Sequence, residues 1–490
     1  MKTIAVIGGG LGGLASAIRL KSHGYHVLLF EKNAHTGGKL HEVQLGTHSF
    51  DFGPNTITMP HVFKQVLLDA GENPDEYFSF KRLETHTKNV FNDGSSFFFS
   101  SNQDRMEEEL SSIDPHSAIG YRQYKEEVAR LYTLAETHFF KRTFSSWKDY
   151  LSLPLAKALM SVKPLQSLDA FHRQYFRDDR IVQAFNRYAT YIGSSPYRSP
   201  ATFALIGHLE LTDGVYYTKG GNVEIAKGLT KAAERLGVSI FRNCGIKQIR
   251  TKNKQATTVI TSDDQSFDVD AIVMNGDLLT QVPALLEEQV RPKMSNRKMN
   301  RFSPSVSAFV TLAAVNHRFD LHHHQVFFND NYKDEFESIF TKQEYSKDPT
   351  IYICTSSKTD PSVSPDGDNL FILVNAPPLK EGEQLSVDPF EYEELIFERL
   401  KAKGIAILPH LLHKKTVTPK EIADTFNAYK GSLYGIASNR RSDTFLRPYN
   451  QSPDISNLFF AGGSTHPGGG SPMVVLSGMN AADRLRKELQ

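Results

Sequence analysis

The chain has 490 residues, a formal net charge of +1 and 40% hydrophobic residues, enough apolar mass for two or three domains at roughly 150 residues each and too much for global disorder. The near-zero charge predicts no nucleic-acid partner, because phosphates call for a basic surface. The two cysteines, Cys244 and Cys354, offer neither a disulfide framework nor a metal-ligand spacing, as expected of a reducing compartment.

The sequence begins on an apolar strand, Thr3–Ile7, without a charged leader or apolar h-region, so no secretory signal is expected. No apolar run approaches about 18 residues, so no transmembrane helix is expected either, although interfacial binding stays open. The strand runs into Gly8-Gly9-Gly10-Leu11-Gly12-Gly13, which satisfies G-x-G-x-x-G through Gly8, Gly10 and Gly13. Gly8 permits a tight turn, Gly10 lets a pyrophosphate approach the backbone, and Gly13 lets helix and strand pack closely. Leu14, Ala17, Ile18 and Leu20 mark the helix that follows, and Gly24 stops it. Its N-terminal amides and dipole suit phosphates. A second strand, His26–Phe30, ends on Glu31, where an acid about 20 residues past the glycines would catch a ribose hydroxyl. A glycine loop set between strand and helix, then strand and acid, is a dinucleotide site.

Beyond the acid, Glu31-Lys32-Asn33-Ala34-His35-Thr36-Gly37-Gly38-Lys39 adds a second glycine pair. This extension resembles the FAD-containing amine oxidase and carotenoid desaturase superfamily. The resemblance implies FAD rather than NAD, with Gly38 and the basic residue after it lying along the cofactor beside Lys32. The family usually has Arg where Lys39 stands, and Lys lacks the planar fork. Asp51-Phe52-Gly53-Pro54-Asn55 resembles the segment that passes the flavin, which implicates Gly53 and Pro54. In the middle of the chain, Gly214–Gly221 opens a helix from Asn222 to Leu236 that is followed by the strand Gly237–Phe241. The resemblance places a residue near Ile246 against the adenine and makes Asp270–Asp277 a strand that re-enters the sheet.

Near the other end, the strand Asn457–Ala461 leads into Gly462-Gly463-Ser464-Thr465-His466-Pro467-Gly468-Gly469-Gly470-Ser471-Pro472-Met473, and Val474 continues into an amphipathic helix. Such a helix start presents free amides to an electron-rich group. Stabilising the N1–C2=O2 edge of a reduced flavin is a fitting use. The segment resembles the C-terminal signature of bacterial carotenoid desaturases and oxidases, and Arg447-Pro448-Tyr449-Asn450 resembles the family's Arg-Pro-x-Asn. The implied cofactor contacts here are Gly462, Gly463, Gly469, Pro472, Met473 and Val474. No acid or base can be named. His466 is the catalytic candidate near this loop, with a loop-stabilising role equally open.

The implied fold is α/β: a Rossmann-type FAD-binding domain, amine oxidase and glutathione reductase-like, with a discontinuous mixed α+β substrate domain. Residues 1–75, 214–285 and 415–490 would form the FAD part, and 76–213 and 286–414 the substrate part. Trp147 to Phe176 crowds Leu151, Leu153, Leu155, Leu159, Met160, Leu165, Leu168, Phe171 and Phe176 around Pro154, with Lys157, Lys163 and Arg173 interleaved. It reads either as two short helices dipping into a membrane interface with Trp147 as anchor, or as helices lining the core. Tyr188, Tyr191 and Tyr197 line a tunnel or belong to the core. His317, His322, His323 and His324 suggest a metal, but adjacent histidines on a strand alternate in direction and no ligand partner stands at the right spacing, so none is expected.

The resemblance further implies a hydrophobic polyene substrate, drawn from a membrane surface at the inner face of the cell membrane by a cytoplasmic, peripheral protein. The reaction would begin with allylic hydride removal from a C30 apocarotenoid. It would end in terminal-methyl oxidation, in desaturation of the dehydrosqualene or phytoene kind or, outside this group, in amine oxidation. The sequence carries no signal for oligomeric state.

Overall fold

A computed structural model describes residues 1–144, 147–150, 152–380 and 385–490. The central sheet has five parallel strands gathered from across the chain: β1 (Thr3–Ile7), β2 (His26–Phe30), β3 (Ser239–Phe241), β4 (Ala271–Asn275) and β5 (Leu458–Ala461), in the order β5-β4-β1-β2-β3. A parallel sheet covered on both faces needs near-continuous apolar strands, and β1, β2, β4 and β5 are such runs. Alternation splits them between two cores. Ile4, Val6, Val27 and Leu29 face one core, and Ala5, Ile7, Leu28 and Phe30 the other.

The first core lies under three helices, α1 (Leu11–Ser22), α2 (Val223–Leu236) and α3 (Ser471–Leu489). The second lies under an antiparallel ribbon of residues 246–268 and the helix Leu278–Leu285. Helix α3 crosses α1 at glycine: a Cβ on Gly478 would stand 2.0 Å from the Gly12 carbonyl oxygen. The Ser16 hydroxyl donates to both carbonyls, at 2.8 Å to Gly12 and 3.0 Å to Gly478.

A second, seven-stranded mixed sheet carries the rest of the molecule. Its order is Leu411–Val417, Ser307–Val315, Asn369–Ala376, Ile351–Thr355, His324–Phe327, Thr85–Val90 and Ser96–Ser100. Between residues 103 and 213 the chain is mostly helical. The segment read as either interfacial or core buries some of its apolar side chains and exposes others. Helix Leu153–Ser161 buries Leu155 and Ala158, and Leu168, Phe171 and Phe176 are also buried. Leu153, Met160 and Leu165 stand 69%, 74% and 67% exposed. Leu151 and the Trp147 side chain lie outside the described residues. Among those residues no helix is long and apolar enough to cross a membrane.

Candidate functional site

Two helix starts from opposite ends of the chain open onto one cavity of about 510 Å³. Its lining includes Leu11 and Gly12 of α1 and Ser471 and Val474 of α3. Neither helix has a side-chain hydrogen bond at its N-cap, Gly10 or Gly470, so their first-turn amides are left for whatever fills the cavity. Gly8, Gly10, Glu31, Lys32, Gly38, Lys39, Gly53, Pro54, Ile246, Gly462, Gly463 and Gly469 complete the expected lining. Gly13 sits behind it, where a Cβ would meet the Gly8 carbonyl oxygen at 2.0 Å. Pro472 and Met473 face a neighbouring cavity instead.

The glycine loop is fixed by contacts that spacing alone does not reveal. The second glycine pair closes on the first: the Gly37 N–H donates to the Gly9 carbonyl at 2.8 Å. Glu31 accepts the Gly9 amide at 2.8 Å through one oxygen and the Asn33 amide at 2.8 Å through the other, so it braces the loop as well as lining the cavity. Lys39 is partly buried, and its ammonium donates to the carbonyls of Ser432 (2.9 Å) and Leu433 (2.7 Å). Burial pushes its pKa down to about 8. A single ammonium aimed at two carbonyls does not need the fork that arginine would bring. Lys32 similarly reaches the Asp424 carbonyl and Asn427 Oδ1, both at 2.9 Å.

Three cavity residues escaped the sequence reading. Asn275, at the end of β4, donates from Nδ2 to the Gly8 carbonyl at 3.1 Å. Asp277 accepts the Tyr429 amide at 2.9 Å and the Ser464 hydroxyl at 2.8 Å, tying two loops together. Tyr434 packs against Gly469, where a Cβ would lie 2.8 Å from its own Cβ. Asn275 and Asp277 follow a strand already assigned to the sheet, which was the available signal. Nothing around Tyr434 pointed to it.

The family signature before β5 has a structural purpose. Arg447 is buried and donates to the carbonyls of Gly463 (3.1 Å) and Ile436 (3.0 Å). Burial lowers its pKa to about 10. Asn450 Nδ2 donates to the His466 carbonyl at 2.8 Å. The His466 ring lines neither cavity: Nε2 lies 2.7 Å from the Phe139 carbonyl oxygen, and the ring packs edge-on to Phe144. These contacts hold a loop. Burial lowers the His466 pKa from 6.5 to about 4. The unfolded chain therefore takes up the proton first, and this contribution is complete above about pH 6.5 and lost as pH falls toward 4. We expect His466→Gln, which can still donate to Phe139, to remove on the order of 2 kcal/mol of the acid sensitivity seen by denaturant titration between pH 7 and 4.5. Parallel pH profiles for the two proteins would rule this out.

The neighbouring cavity, about 250 Å³, shares Gly53, Pro54, Phe371, Leu373, Leu433, Tyr434 and Gly469–Ser471 with the first. Its remaining wall is largely apolar, with Phe140, Phe203, Leu205, Ile206, Leu209 and Val326, together with Tyr191, Tyr332 and Tyr352. Tyr191 thus lines this cavity, Tyr188 is core and Tyr197 packs against the core edge. Of the histidines, His317 stacks on His410 and His322 packs edge-on to Phe98. His323 and His324 come within 4.8 Å of Cys354 by their ligand atoms. Strand pairing of His324 with Cys354 creates that neighbourhood, which spacing along the chain concealed.

The family profile described as flavin containing amine oxidoreductase matches residues 11–486. The 4,4'-diapolycopene oxygenase of Methylomonas sp. is 32% identical, over 99% of this chain and 98% of its own. The 1-hydroxycarotenoid 3,4-desaturase of Flavobacterium sp. (strain P99-3) is 32% identical, over 99% of both chains. Among solved structures, cyclohexylamine oxidase from Brevibacterium oxydans IH-35A superimposes with a TM-score of 0.63 at 14% identity, covering 100% of this chain and 99% of that one, a likeness of fold.

Proposed function

Because the chain belongs to the family of flavin containing amine oxidoreductases, we propose that it oxidises a carotenoid, and that the carbon it attacks is a terminal methyl of a C30 polyene. It is an FAD-dependent oxidoreductase. The residues present fit that cofactor. Two uncapped helix starts, a row of glycines where a Cβ would collide, and a carboxylate at the end of β2 are arranged around a cavity long enough to touch all of them. On this reading Gly8, Gly10 and Gly12 with α1 hold the pyrophosphate while Gly13 packs helix on strand behind them, Glu31 holds the ribose and Ile246 the adenine. Lys39, Gly53 and Pro54, with Gly462, Gly463, Gly469 and the start of α3, surround the ring. The FAD part then comprises residues 1–75, 214–285 and 415–490, and the substrate part 76–213 and 286–414.

The observation that carries the reading is the apolar cavity sharing a wall with the dinucleotide cavity. Bound FAD supplies a hydride acceptor for an allylic C–H bond. Leu205, Ile206, Leu209 and Phe203 shield the reacting carbon from bulk water, and Pro54, Tyr434 and Gly469 set its distance from the ring. A cavity of about 150 Å³ holds a six-carbon ring, so about 250 Å³ holds roughly ten carbons, one end of a long polyene. That favours attack at the end over attack at mid-chain. Capture of the resulting allylic cation by one water molecule, with loss of a proton, would place a hydroxyl on the end carbon; loss of a neighbouring proton from the same cation would instead give a new double bond, the outcome named for the Flavobacterium relative.

The exposed Leu153, Met160 and Leu165, beside Lys157, support docking on a lipid surface from which an insoluble polyene is drawn. Product mass after incubation with a C30 carotene in vesicles decides the reaction. Gain of oxygen on an end carbon is expected, loss of two hydrogens alone would make the protein a desaturase, and no product from any carotene would overturn the substrate class.

A further inference from the structure

The wall of the apolar cavity includes Arg187, one member of an ion pair, whose donors an all-hydrocarbon substrate would leave stranded. Arg187 lines it with only 6% of its surface exposed, and Glu210 behind it is fully buried. Their charges approach to 3.6 Å, too far for a hydrogen bond. The Tyr191 hydroxyl, also at the cavity, donates to Glu210 and accepts one guanidinium N–H at 3.5 Å. Arg187 Nε and Nη2 have no hydrogen-bond partner among the described residues, and neither do the Tyr332 hydroxyl and the Thr350 hydroxyl, two further residues of the same wall. A guanidinium has five N–H donors, and those left unmatched away from water are costly to bury.

We propose that this corner of the cavity recognises an oxygen on the substrate, so that the preferred substrate is a polyene already bearing a hydroxyl or aldehyde at or near the end that enters. The inference rests on the polyene reading above. Glu210 already balances the charge of Arg187, and a carboxylate on the substrate would face that acid, so the oxygen recognised is neutral. A neutral oxygen accepts from the guanidinium, and a hydroxyl can also donate to the Tyr332 or Thr350 oxygen. Recognition of this kind selects strongly, because a molecule lacking the oxygen leaves the buried donors unpaired.

The test uses flavin-loaded protein with two polyenes of equal length and conjugation, one a hydrocarbon and one hydroxylated at its end. Anaerobic bleaching of the flavin gives kcat/KM, and the polyene's own absorbance change gives binding. The wild-type protein is expected to favour the hydroxylated polyene by about tenfold or more in both readouts. Arg187→Met should bring the ratio of the two polyenes near one, while Arg187→Lys, which keeps the charge, retains part of the preference. If Arg187→Met does not hold flavin, Tyr191→Phe and Arg187→Lys, each compared with wild type, carry the same comparison. Equal handling of the two polyenes by the wild type, or an unchanged ratio in the variants, overturns the proposal and leaves the polyene reading intact. Failure of both polyenes to bleach the flavin overturns both.

Discussion

Replacing Gly478 with valine is expected to strip the purified protein of its flavin and lower its unfolding free energy by at least about 3 kcal/mol. Helix α3 crosses α1 so closely at this point that even a methyl group would stand 2.0 Å from the Gly12 carbonyl oxygen and 3.0 Å from its Cα. Those are backbone atoms, and they cannot rotate away as a side chain would. The two helices must separate, and with them goes the Ser16 hydroxyl bridge to both carbonyls. The damage reaches the cofactor because Gly12 belongs to the first turn of α1, whose amides face the dinucleotide cavity. Visible flavin absorbance per mole of protein and a denaturant titration check the two parts. A yellow Gly478→Val protein of unchanged stability would show that the crossing is looser than described.

Gly478 also shows where sequence reading stops. Its local pattern, a glycine inside an amphipathic helix, has no spacing rule attached, and only the crossing of two helices 460 residues apart makes it indispensable. The glycines at 8–13 were legible because their task is local: strand, turn and helix start lie within one βαβ unit, and φ of +101° at Gly8 is what such a turn needs. The convergence of the two termini was legible because each carries its own strand, glycine loop and helix. Asn275 was not, because it meets Gly8 only through the register that sets Met274 beside Ile7. For Lys39 the sequence suggested a place along the cofactor. The structure adds two carbonyl partners from a loop nearly 400 residues away. Arg187 lies in a helical stretch among tyrosines, and no spacing along the chain marks it. Its meaning comes from Glu210, which a separate turn brings to it.

Asp51→Ala is the second change expected to do large damage, and its size should depend on pH. The Asp51 carboxylate is buried at the end of the strand His48–Phe52 and accepts the amides of Asn222 and Val223, each at 2.8 Å, so it caps α2 from far along the chain. Asn222 in turn donates to the Asn55 carbonyl at 2.9 Å, and the stretch Gly53–Asn55 walls the apolar cavity. Alanine leaves two buried amides without an acceptor, a loss of about 2 kcal/mol or more at pH 7. Burial raises the Asp51 pKa from 3.8 to about 6. A folded-state pKa above the unfolded one means that the folded protein holds the proton more tightly between those values. The contribution of Asp51 is therefore complete below about pH 4 and declines as pH rises through 6. The deficit of Asp51→Ala relative to wild type should accordingly be larger at pH 4.5 than at pH 7, by on the order of 2 kcal/mol. Urea titrations of both proteins at the two pH values measure it, and flavin retention reports whether the stretch 53–55 moves. A deficit that stays constant with pH, or grows toward neutrality, would mean that the carboxyl is already ionised throughout and that its two amide partners outweigh its burial.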